Sequence, residues 1–200
     1  MRPAKGVFAA LLAAAAVSAC TTGGGTTGTP TPVTSDTGSS DTPSTSTKAP
    51  AARPKEIKLD GIDPCKALTA AQQTELKIDE SESDPSEVVK GTTSPSCAYT
   101  SNAEKSYVYR VTLISNEGID HWDGPSNLDV APKQVSGYAA AQVMLKGTST
   151  LECSVAVDVA DEQQLFVQFL PYSRVFTQDE MCQNAAKGAE SALKTLQTLK

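Results

Sequence analysis

Cys153-Ser-Val-Ala-Val-Asp-Val159 and, after the polar step Asp161-Glu162, Gln164-Leu-Phe-Val-Gln-Phe-Leu170 are the stretch on which the fold turns. In the first run Val155, Val157 and Val159 alternate with Ser154, Ala156 and Asp158; in the second Leu165, Val167 and Phe169 fall on one face. Side chains of a strand alternate between its two faces, so each run reads as a strand with one face turned to a core. Two such runs joined by a short polar connection predict an antiparallel hairpin. Downstream, Thr177 followed three residues later by Glu180 is a capping box. It opens a helix whose apolar positions Met181, Ala185, Ala189, Ala192, Leu193, Leu196 and Leu199 recur at steps of three and four. That stripe needs a sheet to cover. The expected fold is α+β: a mostly antiparallel sheet of four to six strands, a short N-terminal helix, and a C-terminal helix packed on one face.

Toward the N-terminus the signals thin out. Tyr107, Tyr109, Val111 and Leu113 alternate with Ser106, Arg110 and Thr112, which predicts a strand over 107–114 with one buried face. A shorter strand is expected over 97–100, with a turn over 101–105. Residues 134–144 read as a strand interrupted by Gly137, 116–122 as a short helix, and 124–132 as loop. Residues 79–96 are polar and contain Pro85, Gly91 and Pro95, so they read as a long loop. Asp63-Pro64-Cys65 pairs a strong N-cap with a residue suited to the first helical position. Thr69 with Gln72 is a second capping box, for a turn or two reaching Leu76.

The first twenty residues carry a different message. Arg2 and Lys5 precede an uncharged run of Val, Phe, Leu and Ala, and Val17-Ser18-Ala19-Cys20 closes it. A basic start, a short apolar core and small residues before the cut make a secretory signal. The apolar run is well below the ~20 residues a membrane-crossing helix needs. Small residues followed by Cys are what a bacterial lipoprotein signal peptidase requires, so residues 1–19 are expected to be removed and Cys20 lipidated. Two or more acyl chains give stable anchoring where one does not. Residues 20–56 follow as a Thr/Ser/Gly/Pro tract too poor in apolar side chains to fold, a tether. The folded domain is expected over 57–200.

Four cysteines remain: Cys65, Cys97, Cys153 and Cys182. In an exported domain they imply two disulfides, with three connectivities open. The hairpin narrows the choice. The end of its second strand returns beside Cys153, and Cys182 lies in the first turn of the helix that must cover this sheet. Cys153–Cys182 is favoured, leaving Cys65–Cys97. Each bridge closes a loop of about 30 residues, an upper bound of roughly 3–4 kcal/mol of stabilisation.

Residues 57–200 hold 12 Lys and Arg against 20 Asp and Glu, a net of −8. An acidic domain is repelled by nucleic acid and by anionic headgroups, so neither is an expected partner. Catalytic signals are sparse. His121, the single imidazole, sits in Gly118-Ile-Asp120-His121-Trp122-Asp123-Gly124, where a hydrolase would use it as base with Asp120 or Asp123 as orienter and a Ser as nucleophile. No Gly-x-Ser-x-Gly elbow presents that Ser. The run Asp79-Glu80-Ser81-Glu82-Ser83-Asp84 lacks the alternating ligands and turn Gly of a calcium loop and reads as a solvated acidic stretch. Asp60 and Asp63 form a carboxylate pair of the kind glycosidases use, but Asp63 already has a capping role. Trp122 suits either the core or a stacking contact with a sugar. No catalytic residue, metal site or cofactor is expected.

Asp63-Pro64-Cys65 before Lys66-Ala-Leu-Thr-Ala-Ala-Gln-Gln-Thr-Glu-Leu76, then Cys97-Ala-Tyr99, Val135-Ser-Gly137-Tyr138, Cys153-Ser-Val-Ala-Val157 and Cys182 opening the last helix resemble a family of actinobacterial exported lipoproteins, small mycobacterial lipoproteins among them, classed as a domain of unknown function. The resemblance runs from about residue 60 to 200, and the lipobox and tether fit it too; Tyr99 stands where that family more often has Trp. It implies an envelope lipoprotein held on the extracytoplasmic face of the cell membrane, with a non-enzymatic binding or adaptor role toward another envelope protein or a wall or lipid ligand. The ligand-binding residues are unknown at this point, and the alternative is an envelope hydrolase built on His121.

Overall fold

The computed structural model describes residues 53–147 and 151–199. The expectations for the signal segment, Cys20 and the tether as far as residue 52 lie outside the described residues.

The described residues form nine strands and two α-helices: α1 Ala70–Glu75, β1 Glu80–Ser83, β2 Ser86–Val89, β3 Thr92–Ser94, β4 Ser96–Ser101, β5 Tyr107–Ile114, β6 Leu128–Val135, β7 Tyr138–Leu145, β8 Cys153–Ala160, β9 Gln163–Pro171 and α2 Gln178–Leu196. Short 3-10 turns run over Pro64–Lys66 and Ile119–Asp123. Seven strands make one antiparallel sheet in the order β1-β4-β5-β9-β8-β7-β6, and β2 and β3 pair separately. The α+β class, the β8–β9 hairpin and the covering C-terminal helix are as read from the sequence.

Local chemistry accounts for the ends. Asp63 Oδ1 accepts from Cys65 N at 2.9 Å, and both capping boxes close. Helix α2 lays Met181, Ala185, Ala189, Ala192, Leu193 and Leu196 onto the sheet, with Val155, Val157, Val167 and Phe169 in the same core. Leu199, expected to extend the stripe, is past the end of the helix and exposed. Both bridges have the favoured connectivity: Cys65–Cys97 with Cα atoms 5.1 Å apart and Cys153–Cys182 with 4.9 Å.

The sheet holds seven strands rather than four to six, because two segments read as loop are edge strands. Glu80–Ser83 pairs with β4 although all four residues are exposed. Alternating Glu and Ser offers no apolar period to detect, and such charges suit an edge that must not recruit another chain. The expected loop over 79–96 therefore contains β1, β2 and β3. At the other edge, β6 begins inside the expected loop over 124–132 and contains Pro132, whose missing N–H an edge strand tolerates. Gly137 does not interrupt a strand. Ser136 and Gly137, with φ of 48° and 84°, are the two-residue turn between β6 and β7.

One face was expected to be buried, and both are. Every residue of β8 is buried. On the face away from α2, Ile114, Trp122, Ala141, Val143, Ala156 and Phe166 form a second core with Val89. The β2–β3 hairpin and the Ile119–Asp123 turn roof it. Residues 53–56, assigned to the tether by sequence, already meet the domain: Arg53 bonds Asp158 at 2.8 Å and Asp161 at 2.7 Å, and Tyr138 donates to the Lys55 carbonyl at 2.7 Å.

Candidate functional site

The second face of the sheet is where polar side chains from inner strands meet open space. Its roof is pinned by Gln164, a fully buried amide on β9. Gln164 Oε1 accepts from Trp122 Nε1 at 2.6 Å, and its Nε2 donates to the carbonyls of Glu117 at 3.1 Å and Gly118 at 2.9 Å. Trp122 then stacks on Phe166, rings 4.8 Å apart and inclined by 19°. The two sequence readings of Trp122 merge: it is a core residue, and its ring also walls a cleft.

That cleft, about 300 Å³, lies between the β2–β3 hairpin and the sheet. Trp122, Phe166 and Val143 form an apolar side; Arg110, Glu152, Ser154 and Gln168 form a polar one. Gln168 Nε2 donates to Glu152 Oε2 at 3.2 Å. Burial pushes the Glu152 carboxyl above its ordinary range, while the Gln168 bond and the Arg110 charge pull it partly back. Arg110 is held by Asp84, with Nε at 3.1 Å and Nη2 at 2.6 Å from Oδ2. Ser154, 3% exposed as a residue, also lines the cleft; the buried side-chain atoms without a hydrogen-bond partner among the described residues are Arg53 Nε and Ser101 Oγ.

A second cleft of about 650 Å³ lies on the same face, beyond the 3-10 turn. Val130, Ala139 and Ala141 give it an apolar floor, and Asp120, Asp123 and Glu162 stand at its rim. The Arg53 guanidinium closes one side and holds the Asp161 carboxyl below its usual range.

The residues singled out from sequence are not assembled into a catalytic group. His121 Nδ1 faces Glu117 Oε1 at 3.7 Å and its ring meets Trp122 edge-on at 4.9 Å. Among the described residues neither Asp120, Asp123 nor a Ser hydroxyl is bonded to the imidazole. The acidic run is spent on local structure: Asp79 Oδ2 accepts from Asn102 N at 2.7 Å, Glu80 from Asn102 Nδ2 at 3.2 Å, and Asp84 from Arg110. Asp60 accepts from Gln163 Nε2 at 3.0 Å, and Asp63 caps the first turn. No group of three or more His, Cys, Asp or Glu among the described residues is placed to hold a metal ion.

Sequence reasoning missed Arg110, Glu152, Ser154 and Gln168 as cleft residues. The signal was present: Ser154 and Gln168 are the polar positions of the two alternating runs, and Cα pairing sets them opposite each other. They read as a solvent face because nothing in the periodicity announced a roof.

No helix of the described residues is long and apolar enough to cross a membrane. No curated protein and no solved structure matches the chain. The family model described as protein of unknown function (DUF3558) matches residues 15–195, a span that takes in all five cysteines and both clefts, and the chain belongs to that family.

Proposed function

We propose that this is a lipid-anchored binding protein of the bacterial envelope, held by Cys20 on the extracytoplasmic face of the membrane, with no catalytic role. Two disulfides in a domain of this size suit an oxidising compartment. The small-small-Cys ending at Ser18-Ala19-Cys20 supplies the anchor, and the family match includes it. The observation that supports binding above all is the cleft under the β2–β3 hairpin, of about 300 Å³, where Ser154, Gln168 and the half-buried Glu152 carboxyl line the same space as Trp122, Phe166 and Val143. The hydrolase alternative needs His121 oriented by Asp120 or Asp123, whereas its acidic neighbour is Glu117.

Complementation of a deletion strain separates the two readings. His121→Ala and Asp123→Ala should restore whatever phenotype the intact gene restores. Loss of complementation by His121→Ala, with an unchanged thermal midpoint, would overturn the non-catalytic reading.

A further inference from the structure

We infer that the cleft of about 650 Å³ beyond the 3-10 turn docks a basic segment of another polypeptide, one that presents a Lys or Arg next to an apolar side chain. The inference rests on the binding reading above and adds the class of partner. Its first ground is charge. Five carboxylates and two cations line the cleft, a net of −3. Asp158 and Asp161 are spent on Arg53. Asp120 and Glu162 are not, for among the described residues neither forms an ion pair. They also stand close together: a Cβ built on Gly118 would lie 2.7 Å from Asp120 Oδ1 and 3.8 Å from Glu162 Cα. Two like charges gathered around one glycine repel each other, and an ammonium or guanidinium set beside them relieves both.

The floor is the second ground. Val130 and Pro132 of β6 and Ala139 and Ala141 of β7 line the cleft, with Pro132 paired to Ala141. Lys and Arg lay an apolar stem along such a surface and keep the charged head at a polar rim. One side chain therefore uses floor and rim together. A metal ion would use the carboxylates alone, and no group of three or more His, Cys, Asp or Glu among the described residues is placed to hold one. The third ground is size. A volume of about 650 Å³ is that of a site for a drug-sized ligand, which leaves room for the neighbours of the basic residue. Strand β6 is the edge of the sheet, so a chain can run on past the cleft. A second copy of this domain is a poor occupant, because each copy carries a net of −8 over residues 57–200.

The full-length chain would be titrated by calorimetry at low salt with the capped pentapeptide Ala-Leu-Lys-Leu-Ala. Its counterparts with norleucine or Glu in the central place test the charge, and n-hexylamine tests a free amine. Saturable binding is expected with the Lys peptide, weaker binding with the norleucine peptide and hexylamine, and none with the Glu peptide. Asp120→Asn combined with Glu162→Gln should weaken the Lys peptide about three- to tenfold, the scale of two exposed ion pairs, and flatten its salt dependence. Both side chains are exposed, so near-UV circular dichroism of the double variant should match the parent. Asp123→Ala leaves this pair in place, so the complementation expected of it stands. No saturable binding of the Lys peptide, equal binding of the norleucine or Glu peptide, hexylamine binding as tightly as the peptide, or Lys-peptide binding unaltered in the double variant would each overturn the inference. The binding reading fails on a different result, loss of complementation by His121→Ala. Absent peptide binding while His121→Ala still complements removes the basic segment and leaves the anchored binding protein.

Discussion

Gly188 lies where α2 crosses β5. A Cβ built there would come within 2.7 Å of the Tyr109 ring, itself buried and wedged against Phe169 and Tyr107. Glycine is disfavoured inside a helix by roughly 1 kcal/mol relative to alanine, but here its missing side chain sets the distance between helix and sheet. Overpacking of this kind costs about 1–3 kcal/mol. Gly188→Ala should therefore destabilise the domain in denaturant titration, against the direction that helix propensity alone gives. Glu152 makes a second test, through pH. Its carboxyl is raised by burial, so the native state holds the proton more tightly than the unfolded chain. The contribution of this group to stability is full below the unfolded carboxylate pKa and is lost as pH rises through the higher native one. Glu152→Gln stays uncharged at every pH. Its thermal midpoint, relative to the parent, should rise between about pH 4 and neutrality, and a fall over that interval would contradict the assignment.

The hairpin of β8 and β9 together with α2 forms the part that the sequence announces most clearly, and its disulfide can be tested as a unit. Changing Cys153 and Cys182 together to Ser should cost roughly 2–5 kcal/mol while the Cys65–Cys97 bridge still forms; non-reducing peptide mapping checks both points. These elements were legible because apolar alternation, capping boxes and the four cysteines all agree on one arrangement. Edge strands β1 and β6 were not, since an exposed Glu-Ser alternation and a strand containing Pro132 carry no apolar period. The second core was hidden for a related reason. Phe166 and Ala156 lie on the face shared with Gln168, Ser154 and Asp158, and only the roof formed by the distant Trp122 and Val89 makes that face an interior. The cleft residues followed the same logic: Arg110, Ser154 and Gln168 were visible as polar positions, while their convergence depends on strand order. His121 and its flanking Asp residues were visible as well, and the structure leaves them at the surface of the turn that Trp122 anchors.

Among the described residues the domain has both faces of its sheet covered and carries two bridges, and in the sequence a Thr/Ser/Gly/Pro segment joins it to Cys20. Its net charge of −8 over residues 57–200 gives it no attraction to anionic headgroups, so the proposed attachment to a membrane would rest on the lipid alone. Two acyl chains hold a protein through a salt wash, because their burial is apolar and unscreened, contributing ~0.8 kcal/mol per methylene. An electrostatically adsorbed protein would be released under those conditions. The decisive measurement is the fractionation of cells expressing the parent chain or Cys20→Ala, grown with a labelled fatty acid and washed at high salt. The parent should carry the label and stay with the membranes, and Cys20→Ala should be unlabelled and appear in the soluble fraction. A Cys20→Ala protein that stays membrane-bound after the wash would contradict the account.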